Sequence, residues 1–379
     1  MQKLPVELIS NILLKGLPRP DVSVDPITSH DPLWSYRSAI LSTCTFWRDI
    51  AYTIPDLWQD VVIRLSNTGH TTTLDELGLS LDLSQGKELD VVIYGDVTSS
   101  EVLLPLWTHL LHERSRICTL DVLLDHAMYP EILPLPGNWN YLVFVSLREG
   151  GRTIHRDSAP WPLTMHTHAP SLRSLFIAGL SMTQQETHGL LEIPALETVT
   201  LSCTVHHFPY RAENLFSLVI PAPAFCNLLL SHPLPLPNLR LLVLLEEAHI
   251  SAELWRNGLE SLEHIGRAGL SIGEWNIFLN ILLDDEELGD PDSSLILPSL
   301  RSLDLRFMGD PQNEWADSRR WNLTRTLERF LRSRPQLAII VDEGRWSYWI
   351  DEEFLGRIAV VREHVVGANE YNIISGTLL

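Results

Sequence analysis

Four cysteines in 379 residues, at 44, 118, 203 and 226, are too few and too scattered for a disulfide framework or a zinc site. No two form a Cys-x-x-Cys pair, and such usage suits a reducing compartment, the cytosol or the nucleus. Positive charge is also scarce: 28 Lys and Arg stand against 48 Asp and Glu, for a net charge of −20. A field of that sign repels a phosphate backbone and an anionic membrane surface, so neither nucleic acid nor membrane is expected as a partner. Long hydrophobic runs are lacking. LPLPNLRLLVLL (234–245) is too short and too rich in proline for a membrane span. The apolar opening MQKLPVELISNILLKGLP is interrupted by Glu7, and no small-residue cleavage site follows, so it does not read as a signal peptide.

The chain also lacks the short motifs of common catalytic sites. It has no GxGxxG, no phosphate-binding GxxxxGK[ST], no GxSxG and no HExxH. His109 with His112, His166 with His168, and His206 with His207 form pairs, but no Cys or carboxylate joins them at ligand spacing. The acidic run LDDEELGDPD (283–292) lacks the Gly and Glu placement of a calcium loop and reads as a solvated loop. The expectation is a protein that performs no chemistry itself and carries no metal or cofactor.

With 45% hydrophobic and 20% charged residues, the chain has the composition of a folded protein, long enough for two or three domains. Pro5 suits the start of a helix, because its missing amide would be unpaired there in any case. Glu7 follows in the first turn, where the helix dipole favours an acid. Leu8 with Ile12, and Ile9 with Leu13, lie four apart and make a wide apolar face; the helix should end near Gly16. Residues 18–33, dense in Pro and Asp, read as a loop. A second helical pattern starts at Trp34 and places Ile40, Cys44, Trp47 and Ala51 on one face, before Pro55 ends it. Cys44 and Trp47 are expected in a small core, with Leu57 and Trp58 as its joint to the strand DLWQDVVIRL (56–65).

Leu4, Pro5, Glu7 and Leu8, then Ile12 and Leu13, then Cys44, Trp47 and Arg48, then Pro55, Leu57 and Trp58 follow one another in a fixed order. This Leu-Pro-x-Glu-Leu … Cys-x-x-Trp-Arg … Pro-x-Leu-Trp series resembles an F-box, of the F-box-like type common in fungal proteins. The loop at 18–33 is longer than in compact examples. The resemblance implies a three-helix module over residues 1–60 that binds the Skp adaptor of a cullin–RING ubiquitin ligase. It would place Leu4, Pro5, Glu7, Leu8, Ile9, Ile12 and Leu13 against the adaptor.

A second pattern recurs downstream. APSLRSLFIAGL (169–180), IPALETVTLSCT (193–204), LPNLRLLVLLEE (236–247) and LPSLRSLDLRFM (297–308) share Pro-x-Leu-x-x-Leu/Val-x-Ile/Leu. ENLFSLVIPA, RICTLDVLLD and NYLVFVSLRE fit without the Pro. First leucines at 172, 196, 215 and 239 give intervals of 24, 19 and 24, the period of leucine-rich repeats. The next copy, at 300, is 61 residues on, with room for two or three units, among them a degraded one at GLESLEHIGRAGLSI. Thr204 and Leu180 stand where the Asn ladder of regular repeats would run, so an irregular solenoid is expected.

The fold class expected is therefore α/β: a small three-helix module, then an irregular leucine-rich-repeat solenoid with a parallel sheet over residues 61–379. KELDVVIYGD and QLAIIVDEG read as strands, and EVLLPLWTHLLHERSR, GEWNIFLNILL and the segment ending at Pro335 as helices. A cap is expected from about residue 337, with Trp346, Tyr348, Trp349 and a last amphipathic helix. Arg173, Ser174, Glu197, Thr198, Arg240 and Arg301 are the candidate residues facing a target protein. The expected role is substrate recognition in a ubiquitin ligase, by a chain that is monomeric outside that complex. The alternative is a leucine-rich scaffold whose opening helices serve as a solenoid cap.

Overall fold

The computed structural model describes residues 4–18, 26–66, 71–96, 100–125, 128–132, 137–149, 168–178, 195–202, 214–221, 225, 236–245, 253, 255, 262, 264–270, 272–287, 297, 299–305, 316–342 and 360–363. They belong to two compact units, one within Met1–Leu180 and one within Ser181–Val366. Both are α/β, and every registered strand pair is parallel.

The first unit opens with three helices, α1 (Val6–Lys15), α2 (Pro26–Thr43) and α3 (Thr45–Tyr52). α2 starts eight residues before the Trp34 expected from the sequence, inside the segment that reads as a loop. Its Pro26 is tolerated as a first helical residue, and Leu33, fully buried, supplies packing that outweighs poor local propensity. A single 3-10 turn, Pro55–Leu57, then leads into β1 (Asp60–Leu65). The alternation continues with α4 (Leu74–Leu83), β2 (Leu89–Gly95), α5 (Ser100–His112), β3 (Ile117–Leu124), α6 (Tyr129–Ile132), β4 (Phe144–Glu149) and β5 (Ser174–Ala178). α4 begins in a capping box: Thr73 Oγ1 accepts from the Glu76 amide at 3.2 Å, and the Glu76 carboxylate accepts from the Thr73 amide at 2.8 Å.

One side of this sheet is wholly apolar. Val61, Ile63, Val91, Ile93, Leu120, Val122, Val145, Leu147, Leu175 and Ile177 are buried in register, together with Leu77 and Leu81 of α4 and Leu103, Leu106 and Leu110 of α5. Where β1 and β2 end, the strands come so close that a Cβ on Gly95 would fall 1.9 Å from the Leu65 carbonyl oxygen. Glycine is required there by space. The first sixty residues and β1–β5 lie in one compact unit. Trp58 is buried, α2 packs against β2, and Arg37 of α2 donates to the Asp60 carbonyl at 2.7 Å.

In the second unit the strands are β6 (Thr198–Ser202), β7 (Ser217–Pro221), β8 (Leu241–Leu245), β9 (Arg267–Gly269), β10 (Ser302–Asp304), β11 (Ala338–Asp342) and β12 (Val360–Glu363), paired in that order. β9 lies within the degraded copy between 239 and 300. Helices α7 (Ile272–Glu287) and α8 (Ala316–Ser333) pack on each other, and α7 takes in the first part of the acidic run. Phe225, Trp255, Phe278 and Trp275 are fully buried and, in that order, have successive ring centroids 5.4–5.7 Å apart. Within the expected cap, Val360–Glu363 is a strand paired with β11. Trp346, Tyr348 and Trp349 lie outside the described residues, as do Leu180 and Thr204.

The recurring motif is a turn before β4, β5, β8, β9 and β10. The amide of its leucine or isoleucine donates to the carbonyl three residues back: Leu142 to Trp139, Leu172 to Ala169, Leu239 to Leu236, Ile265 to Leu262, Leu300 to Leu297. Pro170 and Pro237 occupy the second position of that turn, where a fixed φ near −65° is preorganised. This explains a proline two residues before the leucine.

Candidate functional site

Two features bear on function: one face of a helix, and the faces and edges of the strands within each unit. The first is α1. Pro5 precedes the helix, and its carbonyl accepts from the amides of Leu8 and Ile9 at 3.1 and 3.2 Å. Glu7 and Lys15 complement the two ends of the helix dipole. Gly16 ends the helix in ordinary right-handed geometry; what demands glycine is Tyr36, whose hydroxyl would lie 2.4 Å from a Cβ there. That hydroxyl donates to the Leu13 carbonyl at 2.7 Å and ties α2 to the last turn of α1.

The apolar face of α1 is divided. Ile9 and Leu13 are 1% exposed and pack with Ile40, Ile50, Ala51, Ile54, Leu57 and Trp58. Leu4, Leu8 and Ile12 are 53%, 50% and 49% exposed, and Pro5 and Glu7 are exposed beside them. Ile9 and Leu13, expected against a partner, are core residues instead. A helix that lies on its neighbours must turn one half of a wide apolar face inward.

The expected roles of Cys44 and Trp47 also change. Cys44 is exposed, in extended conformation (φ −165°, ψ 164°), and it separates α2 from α3 instead of lying within one helix. Trp47 is half-buried against the core, which Ile50 and Ala51 enter in full. Arg48 serves a structural end: its Nε donates to the Leu41 carbonyl at 3.0 Å, satisfying an acceptor near the end of α2. Pro55 is half-buried in the 3-10 turn, while Leu57 and Trp58 are buried as the joint to β1.

At that joint the Trp58 indole nitrogen donates to the Ala51 carbonyl at 3.0 Å, and the Arg37 guanidinium sits 5.4 Å from the indole ring. Burial pushes the Arg37 guanidinium down to about 10, against the upward pull of the Asp60 carboxylate. Burial also raises the Asp60 carboxyl; Arg37 opposes this and Asp90 adds to it. The folded state therefore holds the Asp60 proton more tightly than the unfolded state does. Its contribution to stability falls as pH rises from the ordinary carboxylate value, about 4, through the raised folded value. Asp60→Asn should raise the thermal midpoint at pH 7, with the gain vanishing below about pH 4. A variant that melts lower than the parent at pH 7 would show that the Arg37 attraction outweighs desolvation.

The second surface is the face and edge of the strands. Between the apolar positions of the strands, the middle residues are covered. Ser146 and Phe176 in the first unit, and Thr200, Val219, Val243, Asp304 and Ile340 in the second, are 0–9% exposed. Buried carboxylates there are paired: Asp121 with Arg148 at 2.5 Å, and Asp304 with Arg267. The Tyr129 hydroxyl, raised by burial, lies against the carbonyls of Val122 and Arg148 at 3.0 and 2.5 Å.

Among the six candidate residues, Ser174 and Thr198 are half-buried first residues of β5 and β6. Arg173, Glu197, Arg240 and Arg301 are exposed, each one residue before its strand. The exposed edge where strands begin is thus the accessible surface. The sequence held a signal for the covered face: LLVLL and SLVI are continuous apolar runs, which a strand buried on both faces requires.

Among the described residues no three His, Cys, Asp or Glu side chains could hold a metal ion. His109 and His112 have ring centroids 6.4 Å apart, and His112 Nδ1 lies 2.9 Å from the Thr108 carbonyl. Burial and the adjacent Glu88 push the Cys118 thiol up to about 11, away from thiolate reactivity. His166, His206 and His207 lie outside the described residues. No described helix is long and apolar enough to cross a membrane. No model of a known protein family matches the chain, and no curated protein matches it.

Proposed function

We propose that this chain is the substrate-recognition subunit of an SCF-type ubiquitin ligase. Residues 1–60 act as an F-box-like module that binds a Skp adaptor, and an irregular leucine-rich-repeat array holds a target protein. Such a subunit contributes proximity: it turns a bimolecular encounter between target and charged ubiquitin carrier into a positioned one. The observation that carries the reading is the stripe of Leu4, Leu8 and Ile12, exposed on α1 while Ile9 and Leu13 on its other side are core. Exposed apolar residues grouped on one helix face fit a partner that covers them. The recurring turn-and-strand unit, with leucines 24, 19 and 24 residues apart, supports the repeat assignment.

The test is reconstitution. The full chain mixed with a purified Skp adaptor should co-elute in size-exclusion chromatography. A folded chain that elutes alone would refute the reading.

A second reading takes the helices as a cap on the strand array, with no ligase role. It is favoured by the packing of α2 on β2 and by the Arg37 bond to the Asp60 carbonyl, which join the helices to the strands. In that case charged substitutions at Pro5 and Leu8 destabilise the whole chain.

A further inference from the structure

In a chain with 20 more acidic than basic residues, most arginines should find a carboxylate. Among the described residues, two at the strand edge of the second unit do not. Arg240 and Arg301 are exposed, and among the described residues neither is held by an acid. Both stand just before a strand, β8 and β10, on either side of the residue that precedes β9, Gly266. One hydrogen-bonded rung joins the three: the Gly266 amide donates to the Arg240 carbonyl at 2.8 Å, and the Arg301 amide donates to the Gly266 carbonyl at 2.8 Å. Two strand spacings put the two arginine backbones about 10 Å apart.

The central position is open because it is glycine, and the backbone does not require glycine there. A Cβ on Gly266 would meet nothing closer than 3.8 Å, at the carbonyl oxygens of Arg240 and Ser299. The gap between the two arginine stems is therefore a feature of the surface and not of the fold. Arg240 is further held in place, its guanidinium 5.6 Å from the centre of the Phe216 ring, on the neighbouring strand edge. The floor is already neutralised: Arg267, the first residue of β9, is committed to Asp304. Among the described residues no acid takes up Arg240 or Arg301, which leaves both to an incoming anion.

We propose that Arg240, Gly266 and Arg301 form a two-arginine clamp for an acidic peptide in the polyproline II conformation, carrying two anionic groups three residues apart. Three residues of polyproline II chain make one turn, which brings both side chains to one face about 9 Å apart, close to the separation of the two arginines. The anionic oxygens can come from Asp or Glu side chains or from a phosphorylated side chain; guanidinium groups bind both in bidentate fashion. The clamp refines the target-binding part of the proposed function. Its test needs no adaptor, so the two can fail independently.

The experiment is fluorescence anisotropy with the full-length protein and short labelled peptides. One set carries Glu-x-x-Glu, a second carries phosphoserine-x-x-Glu, and controls carry the same charges adjacent or six residues apart. The spaced peptides should bind, with affinity that falls as salt rises. Binding of the phosphorylated peptide alone would assign the clamp to phosphate, and binding of both to any acidic pair of that spacing. Arg240→Ala and Arg301→Ala should each weaken binding about tenfold, as expected for losing a charge-assisted contact. Gly266→Gln, which fills the gap, should weaken it as much while the thermal midpoint stays unchanged. The proposal is overturned if no acidic peptide binds, if binding survives the double arginine variant, or if all spacings bind alike.

Discussion

Leu8→Glu should abolish co-elution with a Skp adaptor while moving the melting temperature by no more than about 2 °C. Leu8 is 50% exposed on α1, between Leu4 and Ile12, and no core residue depends on it for packing. A carboxylate there stays in water in the free chain, so the cost to folding is small. In a complex the same carboxylate would be forced out of water against an apolar surface, with no cation to receive it. Burying an unpaired charge is prohibitive, so the loss of binding should be complete at micromolar concentrations. Ile9→Glu is the contrasting variant. Its side chain is 1% exposed in the core, so both stability and binding should fall together. If Leu8→Glu lowers the melting temperature as far as Ile9→Glu does, the helices are a cap and the stripe on α1 is not a docking surface.

Trp58→Ala should be the most destabilising single change in the first sixty residues, at about 3–5 kcal/mol. Trp58 is 4% exposed and joins three partners: the Ala51 carbonyl through its indole nitrogen, the Tyr52 ring at 6.2 Å, and the Arg37 guanidinium above it. Truncation leaves a cavity and an unsatisfied Ala51 carbonyl. It also leaves a buried guanidinium without the ring beneath it. Cys44→Ala, fourteen residues earlier in the same aromatic-rich stretch, should change stability by less than about 0.5 kcal/mol. Cys44 is exposed, and its side chain makes no hydrogen bond at the start of α3. Urea unfolding followed by tryptophan fluorescence compares the two. Equal effects would mean that the core is centred on α3 and not on the joint at Trp58.

Local chemistry was legible along the chain. α1 spans the residues that Pro5 and Gly16 bracket. The strands fall on KELDVVIYGD, RICTLDVLLD, NYLVFVSLRE and the leucine motifs, and Pro170 and Pro237 sit in the turn that their fixed φ favours. α2 was misread because Pro26 and the acids beside it have loop propensity, and propensity yields to burial of a residue such as Leu33. Cys44 was misread because helical spacing continues through it, and a one-residue break leaves the periodicity on both sides intact.

Caps, turns and periodicity involve residues within a few positions of one another, so the amino-acid order alone specifies where most strands and α1 lie and that the strands are apolar. Burial is a relation between distant segments. Folding alone settled that Ile9 and Leu13 face inward while Leu8 and Ile12 face out, although all four form one apolar face in the sequence. The same holds for the covered middle row of the strands and for the rung that aligns Arg240, Gly266 and Arg301, which are 26 and 35 residues apart along the chain. No local pattern records which residues meet across such distances; hydrogen bonds between neighbouring strands bring them together.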